Sequence, residues 1–316
     1  MTLKPVVPFE PTVVEETPKG DEWIAQMKWD GVRMLSYFEE GQVRLINRKG
    51  NHRTQQYPEF HDPTRYCKAS SFILDGEIIA LEGGKPSFHE VMKRDSLRSA
   101  MSIERGIKLT QVTYMIFDVL FCNGAWVVNQ TLRERQRLLE TIVIPQHDVQ
   151  IVQNFPDGEA LYAMMEQYQM EGIVYKNVNS AYLIDGKDKR WQKRKVLHDL
   201  FAVIGGVTFR GKVVNSLLLG LYTEQAQFVY IGHAGTGKLS DEEWRQLTVQ
   251  IQPLVRSSRP FINEPERSKD TVWLEPGMAV KVQFLEWTAG GTMRQPSIQA
   301  IVEKTASECT FQQARR

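Results

Sequence analysis

The stretch IAQMKWDGVRMLSYF, residues 24–38, places a lysine at the end of a predicted strand. Up to Lys28 the side chains alternate between two faces, as in a strand: Trp23, Ala25 and Met27 on one, and Ile24, Gln26 and Lys28 on the other. The pattern breaks at Asp30-Gly31, a turn signal because glycine tolerates a positive φ. The chain resumes as a second apolar strand at Val32. A lysine in this position is either a solvated residue at a strand end or a nucleophile.

The composition is that of a soluble globular protein. The chain has 316 residues, of which 42% are hydrophobic and 24% charged, and this length predicts two domains. No apolar run is long enough for a transmembrane helix, and residues 1–20 carry prolines and acids where a signal peptide needs an apolar core. The three cysteines form no C-x-x-C pair, which argues against a zinc ribbon or a disulfide framework. We therefore expect a cytoplasmic protein without a membrane partner.

The net charge of +1 is not that of a protein wrapped wholly in nucleic acid. Any binding of nucleic acid would use local basic patches. One candidate is KDKRWQKRK, residues 187–195, with six basic residues and one acidic residue. A charge run of this kind is usually a solvated face, so by itself it does not establish a binding site.

The first part of the chain, residues 1–197, mixes strands and helices irregularly. β-Branched and aromatic residues predict strands at 21–48, 70–81, 112–121 and 171–177. Helices are predicted at 131–143 and 157–169, the first with Thr131 as N-cap and Glu134 completing a capping box. This irregular order predicts an α+β domain of mixed antiparallel sheets and helices rather than a doubly wound parallel sheet.

The composition changes near residue 198. From 198 to 316 the sequence shows short strands broken by glycine pairs, and only SDEEWRQLTVQI, residues 240–251, is predicted to be helical. Short strands with a single helix predict a second domain built as a small β-barrel, for which the OB-fold is a candidate.

Six short motifs resemble those of one enzyme family. Lys28 to Arg33 resembles K-x-D-G-x-R, the signature of the covalent nucleotidyltransferases, which include DNA ligases, RNA ligases and capping enzymes. The other motifs follow in order as NRKG (47–50), LDGEII (74–79), YMIFD (114–118), EGIVYK (171–176) and WQKRK (191–195). The chain resembles in particular the bacterial ATP-dependent DNA ligases of the end-joining type, in which a barrel follows the catalytic domain.

The resemblance implies an activity. The first domain would be an adenylation domain that seals 5′-phosphate/3′-hydroxyl nicks in duplex DNA through a lysyl-AMP intermediate. ATP would be consumed, and Mg²⁺, or Mn²⁺ in its place, would be the metal. The resemblance also implies a monomer acting in DNA repair and recombination, with a Ku-type or other repair partner.

The residue chemistry fits a lysine nucleophile. Lys28 would attack the α-phosphate, and Asp30, two residues further along the same motif, is also a candidate catalytic residue. A lysine nucleophile must lose its proton, and the positive charges of Lys193 and Lys195 would favour that loss and neutralise charge on the phosphate.

Two glutamates are candidates for the metal site. Glu77 and Glu171 are carboxylates at predicted strand ends, and hard carboxylates suit Mg²⁺, which binds few protein groups. The resemblance assigns Glu171 to the metal. It assigns Glu77 to the ribose hydroxyl, and Glu77 is a second candidate ligand of the metal. Surface carboxylates at turns are the plainer interpretation of both residues.

The remaining ligand contacts are implied by the resemblance. The adenine would stack on Phe117, although a core phenylalanine is the plainer interpretation of that ring. Lys176 would reach the adenine or the α-phosphate. The guanidinium groups of Arg33 and Arg48 carry several N–H donors suited to phosphate and ribose. Arg48 would bind the 5′-phosphate of the nick.

Two positions depart from the family pattern. Gln26 stands where related ligases often carry glutamate; its amide oxygen would accept from the adenine amino group, but its amide also offers donors, which weakens discrimination between purines. Met27 is a further predicted nucleotide contact. Arg294 opens an R-x-P motif and is predicted to contact the nucleotide, whereas the rest of that motif is not evident.

Other functions share some of these features. An RNA ligase or a capping-type guanylyltransferase would use the same lysine. An NAD-dependent ligase is disfavoured because its usual zinc cysteines are absent. A DNA-binding module without catalytic activity would keep the basic run but would need no K-x-D-G-x-R motif.

Overall fold

The computed structural model describes residues 3–305 and 308–315. The chain divides into two compact units, Met1–Val196 and Leu197–Arg316. Within the described part of the chain, no helix is long and apolar enough to cross a membrane.

The first unit contains both strands and helices. Its strands are β1 (Thr12–Val13), β2 (Trp23–Met27), β3 (Val32–Glu39), β4 (Gln42–Asn47), β5 (Phe72–Ile79), β6 (Leu81–Glu82), β7 (Lys85–Pro86), β8 (Thr113–Cys122), β9 (Ala125–Trp126), β10 (Val149–Ile151), β11 (Gly172–Asn177) and β12 (Trp191–Lys195). Its α-helices are α1 (Phe88–Asp95), α2 (Ala100–Leu109), α3 (Leu132–Ile142) and α4 (Gly158–Gln167). Short 3₁₀ helices cover Thr54–Gln56, Pro58–Phe60 and Pro63–Arg65.

Two main sheets organise this unit. One has the strand order β1-β12-β11-β2, and the other has the order β10-β8-β5-β3-β4 with β9 paired to β8. The pairings are antiparallel except for β1 with β12 and β8 with β10. One hydrophobic cluster joins the sheets, because it contains Leu35 and Ile73 from the second sheet and Trp191 from the first. The predicted α+β class is confirmed.

The stretch 24–38 crosses from one sheet to the other. β2 belongs to the four-stranded sheet and β3 to the six-stranded sheet, so Lys28 lies at the start of the crossover. The expected reason for Gly31 was wrong, because its φ is not positive. A Cβ atom on Gly31 would lie 2.3 Å from the carbonyl oxygen of Ile78, so the close approach of β5 requires glycine.

The two helices predicted in the first unit are present, and the N-cap predicted for α3 is observed. Thr131 and Glu134 form the predicted capping box at the start of α3. The helix predicted at 157–169 is α4, which begins after the N-cap Asp157. α1 and α2 were not predicted; each follows a serine N-cap, Ser87 and Ser99, and each is short.

The second unit is mostly strands. They are β13 (His198–Arg210), β14 (Val213–Tyr222), β15 (Phe228–Ala234), β16 (Val255–Arg256), β17 (Val272–Leu274), β18 (Ala279–Phe284), β19 (Glu286–Trp287), β20 (Met293–Arg294) and β21 (Ser297–Val302). The predicted helix is α5 (Asp241–Gln250), and 3₁₀ helices cover Gln252–Leu254 and Phe311–Arg315.

The sheet of the second unit does not close into a complete barrel. Its pairings run β15-β14-β13-β17-β16, with β18 joining β13 to β21. A single bridge between Gly237 and Ile298 links the segment after β15 to β21. The strands enclose the hydrophobic core of this unit.

A buried ion pair fastens α3 to β8 in the first unit. Arg135 donates from Nε to Asp118 Oδ1 at 2.7 Å and from Nη2 to Oδ2 at 2.9 Å. Both side chains are fully buried. The bidentate geometry offsets the cost of removing two charges from water.

We expect Arg135→Leu to lower the free energy of unfolding by ~3–5 kcal/mol, because it leaves the Asp118 carboxylate buried without a counter-charge. Urea unfolding measures the change. The double variant Arg135→Leu/Asp118→Leu should lose clearly less than the single variant. Equal losses would show that the charge left behind is not the cause.

Candidate active site

The register of the four-stranded sheet gathers basic side chains on one face. Gln26 on β2 pairs with Val174 on β11, and Val174 pairs with Lys193 on β12. Directly paired residues point to the same face, as do residues two apart along a strand. Lys176 therefore shares this face, as does Lys28, whose amide continues the ladder by donating to Gly172 O at 2.9 Å.

The six-stranded sheet supplies the opposite wall. Arg33 on β3 pairs with Glu77 on β5. Asp75 and Gly76 are consecutive residues of β5, but they pair with Asp118 and Ile116 of β8. Phe117 is therefore left without a partner on β5 and forms a β-bulge. A bulge turns a side chain out of the regular alternation, and Phe117 borders the space between the sheets.

A cavity of about 700 Å³ lies between these walls, within the usual range for small-molecule sites. The predicted site residues that line it are Gln26, Met27, Lys28, Arg33, Arg48, Glu77, Phe117, Lys176 and Lys193. Asp30, Glu171 and Lys195 are not among the described residues that line it. Arg294 lies on β20 in the second unit, where its Nη1 donates to Glu286 Oε1 at 2.6 Å.

Lys28 forms an ion pair at the edge of the cavity. Its Nζ donates to Glu171 Oε2, and its side chain remains 20% exposed. Burial raises the pKa of the Glu171 carboxyl, whereas the Lys28 ammonium opposes this shift and the charge of Asp30 adds to it. The pair holds the lysine at a defined place while leaving it accessible from the cavity.

Glu77 is a second carboxyl close to this pair. Burial raises its pKa to about 8, with Lys28 and Arg33 opposing the shift and Glu171 adding to it. The two glutamates therefore interact with the same lysine and repel each other. Together they are hard oxygen donors of the type that Mg²⁺ binds.

Positive charges also converge near Lys28. Burial, followed by the charges of Lys28, Lys195 and Arg48, lowers the pKa of Lys193. Arg48 itself forms an ion pair with Glu10, and its side chain is half exposed. An anionic ligand placed among these groups would relieve their mutual repulsion.

Lys176 is the least satisfied of these cations. Its side chain is 2% exposed, and its Nζ has no hydrogen-bond partner among the described residues. The Nζ lies 4.2 Å from the ring centroid of Phe117 and 4.0 Å from that of Trp191, which gives cation–π contacts in place of an anion. Burial lowers the pKa of Lys176 from 10.5 to about 7.

Two predicted contacts have different surroundings from those expected. The Arg33 guanidinium donates to both oxygens of Asp75, at 3.0 and 2.7 Å, and to Phe9 O at 2.5 Å. Most of its N–H donors are therefore already bonded to protein groups rather than directed at a ligand. The Met27 side chain packs in the cluster around Ile173 on the opposite face of the sheet, although the residue also borders the cavity.

Several residues of the site were not predicted. Trp191 stands inside a quoted motif, but its ring was not assigned a place beside Lys176. Asp75 lies in the LDGEII motif, but its ion pair with Arg33 depends on the register of β3 and β5. Asn154 accepts from Gln26 Nε2 at 2.7 Å, and Gln136 accepts from Asn154 Nδ2 at 3.0 Å. Neither residue carried a local signal, because a single polar residue in a loop or helix does not reveal a partner far away in the sequence.

Comparison with known proteins identifies the family. The family described as "ATP dependent DNA ligase domain" matches residues 8–195, and "ATP dependent DNA ligase C terminal region" matches residues 210–304. The chain belongs to the ATP-dependent DNA ligase family. The resemblance drawn from the motifs is confirmed.

The most similar relatives include end-joining proteins. "Multifunctional non-homologous end joining DNA repair protein LigD" of Mycobacterium tuberculosis is 29% identical over 287 residues, covering 88% of this chain and 36% of that protein. The corresponding LigD of Pseudomonas aeruginosa is 28% identical over 317 residues, covering 96% and 36%. The chain thus spans about a third of the length of these relatives.

A solved structure has the same fold. The structure described as "mycobacterial DNA ligase D complexed with ATP and MES" is 28% identical, with a TM-score of 0.52, covering 96% of this chain and 98% of that chain. The expected combination of a nucleotidyltransferase fold with an OB-type fold is confirmed.

We expect Lys176→Met to raise the free energy of unfolding at pH 7 by ~1–3 kcal/mol, because it removes a buried ammonium without a hydrogen-bond partner. Between pH 7 and 10.5 the unfolded protein binds more protons than the folded protein at this position, so wild-type stability should rise with pH. The advantage of the variant should therefore shrink over that window in denaturant titrations. A wild type more stable than the variant at pH 7 would contradict the assignment.

Proposed function

We propose that this chain is an ATP-dependent DNA ligase that seals nicks in duplex DNA through a lysyl-AMP intermediate on Lys28. The observation that carries the proposal is the placement of Lys28, accessible at a cavity edge, ion-paired to Glu171 and beside converging positive charges. The family matches support DNA ligation over RNA ligation or cap formation.

In the first step the Lys28 amine attacks the α-phosphate of ATP. A nitrogen–phosphorus bond forms, and the bond to the leaving pyrophosphate breaks. Lys28 must first release its proton to solvent, and the charges of Lys193 and Lys195 favour that release. The same cations stabilise negative charge on the phosphate oxygens as the bond breaks.

The AMP then passes to DNA. The 5′-phosphate of the nick displaces Lys28 from the AMP phosphorus, and Arg48 would hold that phosphate. The 3′-hydroxyl next attacks the activated 5′-phosphate, the phosphodiester forms and AMP leaves. Arg48 forms an ion pair with Glu10, so the 5′-phosphate would have to replace this carboxylate.

The donor set fits Mg²⁺, with Mn²⁺ as a substitute. Glu171 and Glu77 would hold the ion, with Asp30 close to Glu171. Among the described residues no group of three or more His, Cys, Asp or Glu side chains is arranged to hold a metal ion, but Mg²⁺ needs few protein carboxylates because it keeps several waters. When bound, Mg²⁺ would neutralise charge on the phosphates.

The nucleotide would lie along the cavity wall. The adenine would stack on Phe117 with its amino group near Gln26, and Lys176 would reach toward the α-phosphate. Met27 and Arg33 border the same space. The roles of Glu77 toward the ribose and of Arg294 toward the nucleotide stay predictions.

The biological setting follows from the same proposal. Residues 1–197 would be the adenylation domain and residues 198–316 the OB-fold domain. The LigD relatives are named for non-homologous end joining, which supports a role in DNA repair. A cytoplasmic location stays a prediction. A monomeric state and a Ku-type partner stay predictions.

We expect Lys28→Ala to abolish labelling of the protein by α-labelled ATP, because the attacking nitrogen is removed. The variant should still seal a nick that already carries 5′-AMP, although more slowly. Circular dichroism should show a folded protein. Labelling of the folded variant at the wild-type level would contradict the role of Lys28.

We expect Arg48→Ala to leave self-labelling by ATP unchanged while impairing transfer of AMP to nicked DNA, because its ligand would be the 5′-phosphate. Arg65→Ala is a matched control: Arg65 also forms an ion pair, with Asp148, but lies away from the cavity lining. The two half-reactions are measured separately. Normal AMP transfer by the Arg48 variant would reject the assignment.

A further inference from the structure

Three side-chain amides form a chain of hydrogen bonds that ends at the nucleotide cavity. Gln136 on α3 donates from Nε2 to the carbonyl oxygen of Phe117 at 2.7 Å. Asn154 donates from Nδ2 to Gln136 Oε1 at 3.0 Å. Gln26 donates from Nε2 to Asn154 Oδ1 at 2.7 Å, and Gln26 lines the cavity.

The polarity of this chain is determined at its far end. A backbone carbonyl can only accept, so Gln136 must present its Nε2 to Phe117 and its Oε1 to Asn154. Asn154 must then donate to Gln136, which leaves its Oδ1 to accept from Gln26. Reversing the Gln26 amide alone would set two oxygens against each other. The Gln26 Oε1 is thereby left as an acceptor at the cavity.

The β-bulge explains why the carbonyl of Phe117 is available. Phe117 has no partner in the pairing of β5 with β8, so its oxygen can accept from a side chain. The same residue supplies the ring on the cavity wall. The proposed stacking group and the proposed base-reading group are therefore positioned by one set of hydrogen bonds. Gln26 and Gln136 are both buried, at 2% and 6% exposure.

We propose that Gln136 and Asn154 are positioning residues that make the site select a 6-aminopurine over a 6-oxopurine. Through them Gln26 presents an oxygen, which accepts from the amino group of adenine and repels the 6-oxygen of guanine. Without them the neutral amide of Gln26 would be free to present its NH₂ group instead. This inference rests on the proposed function, because it assumes that a nucleotide base occupies the cavity.

The test compares covalent labelling of the full-length protein by α-labelled ATP and by α-labelled GTP. Gln136→Leu should lower the ATP-to-GTP ratio of labelling efficiency by about tenfold, the effect of one hydrogen bond to the base. Asn154→Leu should act in the same way and provides a second variant at a less buried position. Gln56→Leu is the matched control, because Gln56 has the same burial and donates to Leu97 O at 2.8 Å away from the cavity lining.

A rescue distinguishes positioning from simple loss of structure. The carboxylate in Gln26→Glu can only accept, so its polarity does not depend on the amide chain. The double variant Gln26→Glu/Gln136→Leu should therefore regain the high ATP-to-GTP ratio.

The outcomes separate this inference from the proposed function. A wild type labelled by neither nucleotide would overturn both. A wild type labelled by ATP, with Gln136→Leu and Asn154→Leu lowering ATP and GTP labelling equally, would overturn the positioning role alone. The positioning role is supported if the ATP-to-GTP ratio falls in Gln136→Leu and Asn154→Leu but not in Gln56→Leu. The ratio must also recover in the double variant Gln26→Glu/Gln136→Leu.

Discussion

The pairing register of β2, β11 and β12 is the constraint on which the site depends. Because Val174 stands between Gln26 and Lys193, every second residue of these strands lies on one face of the sheet, and Lys28 and Lys176 on this face line the cavity. A slip of one residue would turn the whole set to the opposite face. That opposite face is apolar and packs against α4, so burial of this cluster holds the basic residues in place.

The concentrated positive charge of the site has an energetic cost. Lys176 is buried without a hydrogen-bond partner among the described residues, and the pKa of Lys193 is lowered by burial and by neighbouring cations. Glu171 and Glu10 offset part of this charge by pairing with Lys28 and Arg48. A polyphosphate would supply the remaining negative charge, so binding would relieve an unfavourable arrangement that the apolar packing of the fold sustains.

The wall across the cavity depends on a local irregularity. The bulge at Phe117 breaks the alternation of β8, and it leaves a carbonyl that anchors Gln136. Two residues further back, Met115 remains in the regular pairing with Glu77. One extra residue in a strand therefore positions an aromatic ring and a chain of amides at once, on elements already held by the core.

Local signals in the sequence predicted much of this protein. The capping box of Thr131 and Glu134, the α+β class and the lysine after a strand follow from patterns within a few residues, because caps and side-chain alternation are local properties. Which residues share a face depended on strand register, which joins distant segments. The bulge at Phe117 had no sequence signal, and the polarity of Gln26 comes from Asn154, 128 residues away. The sequence by itself therefore determined the reactive groups, whereas the tertiary structure decided their orientation, because register and hydrogen-bond direction arise only when those segments meet.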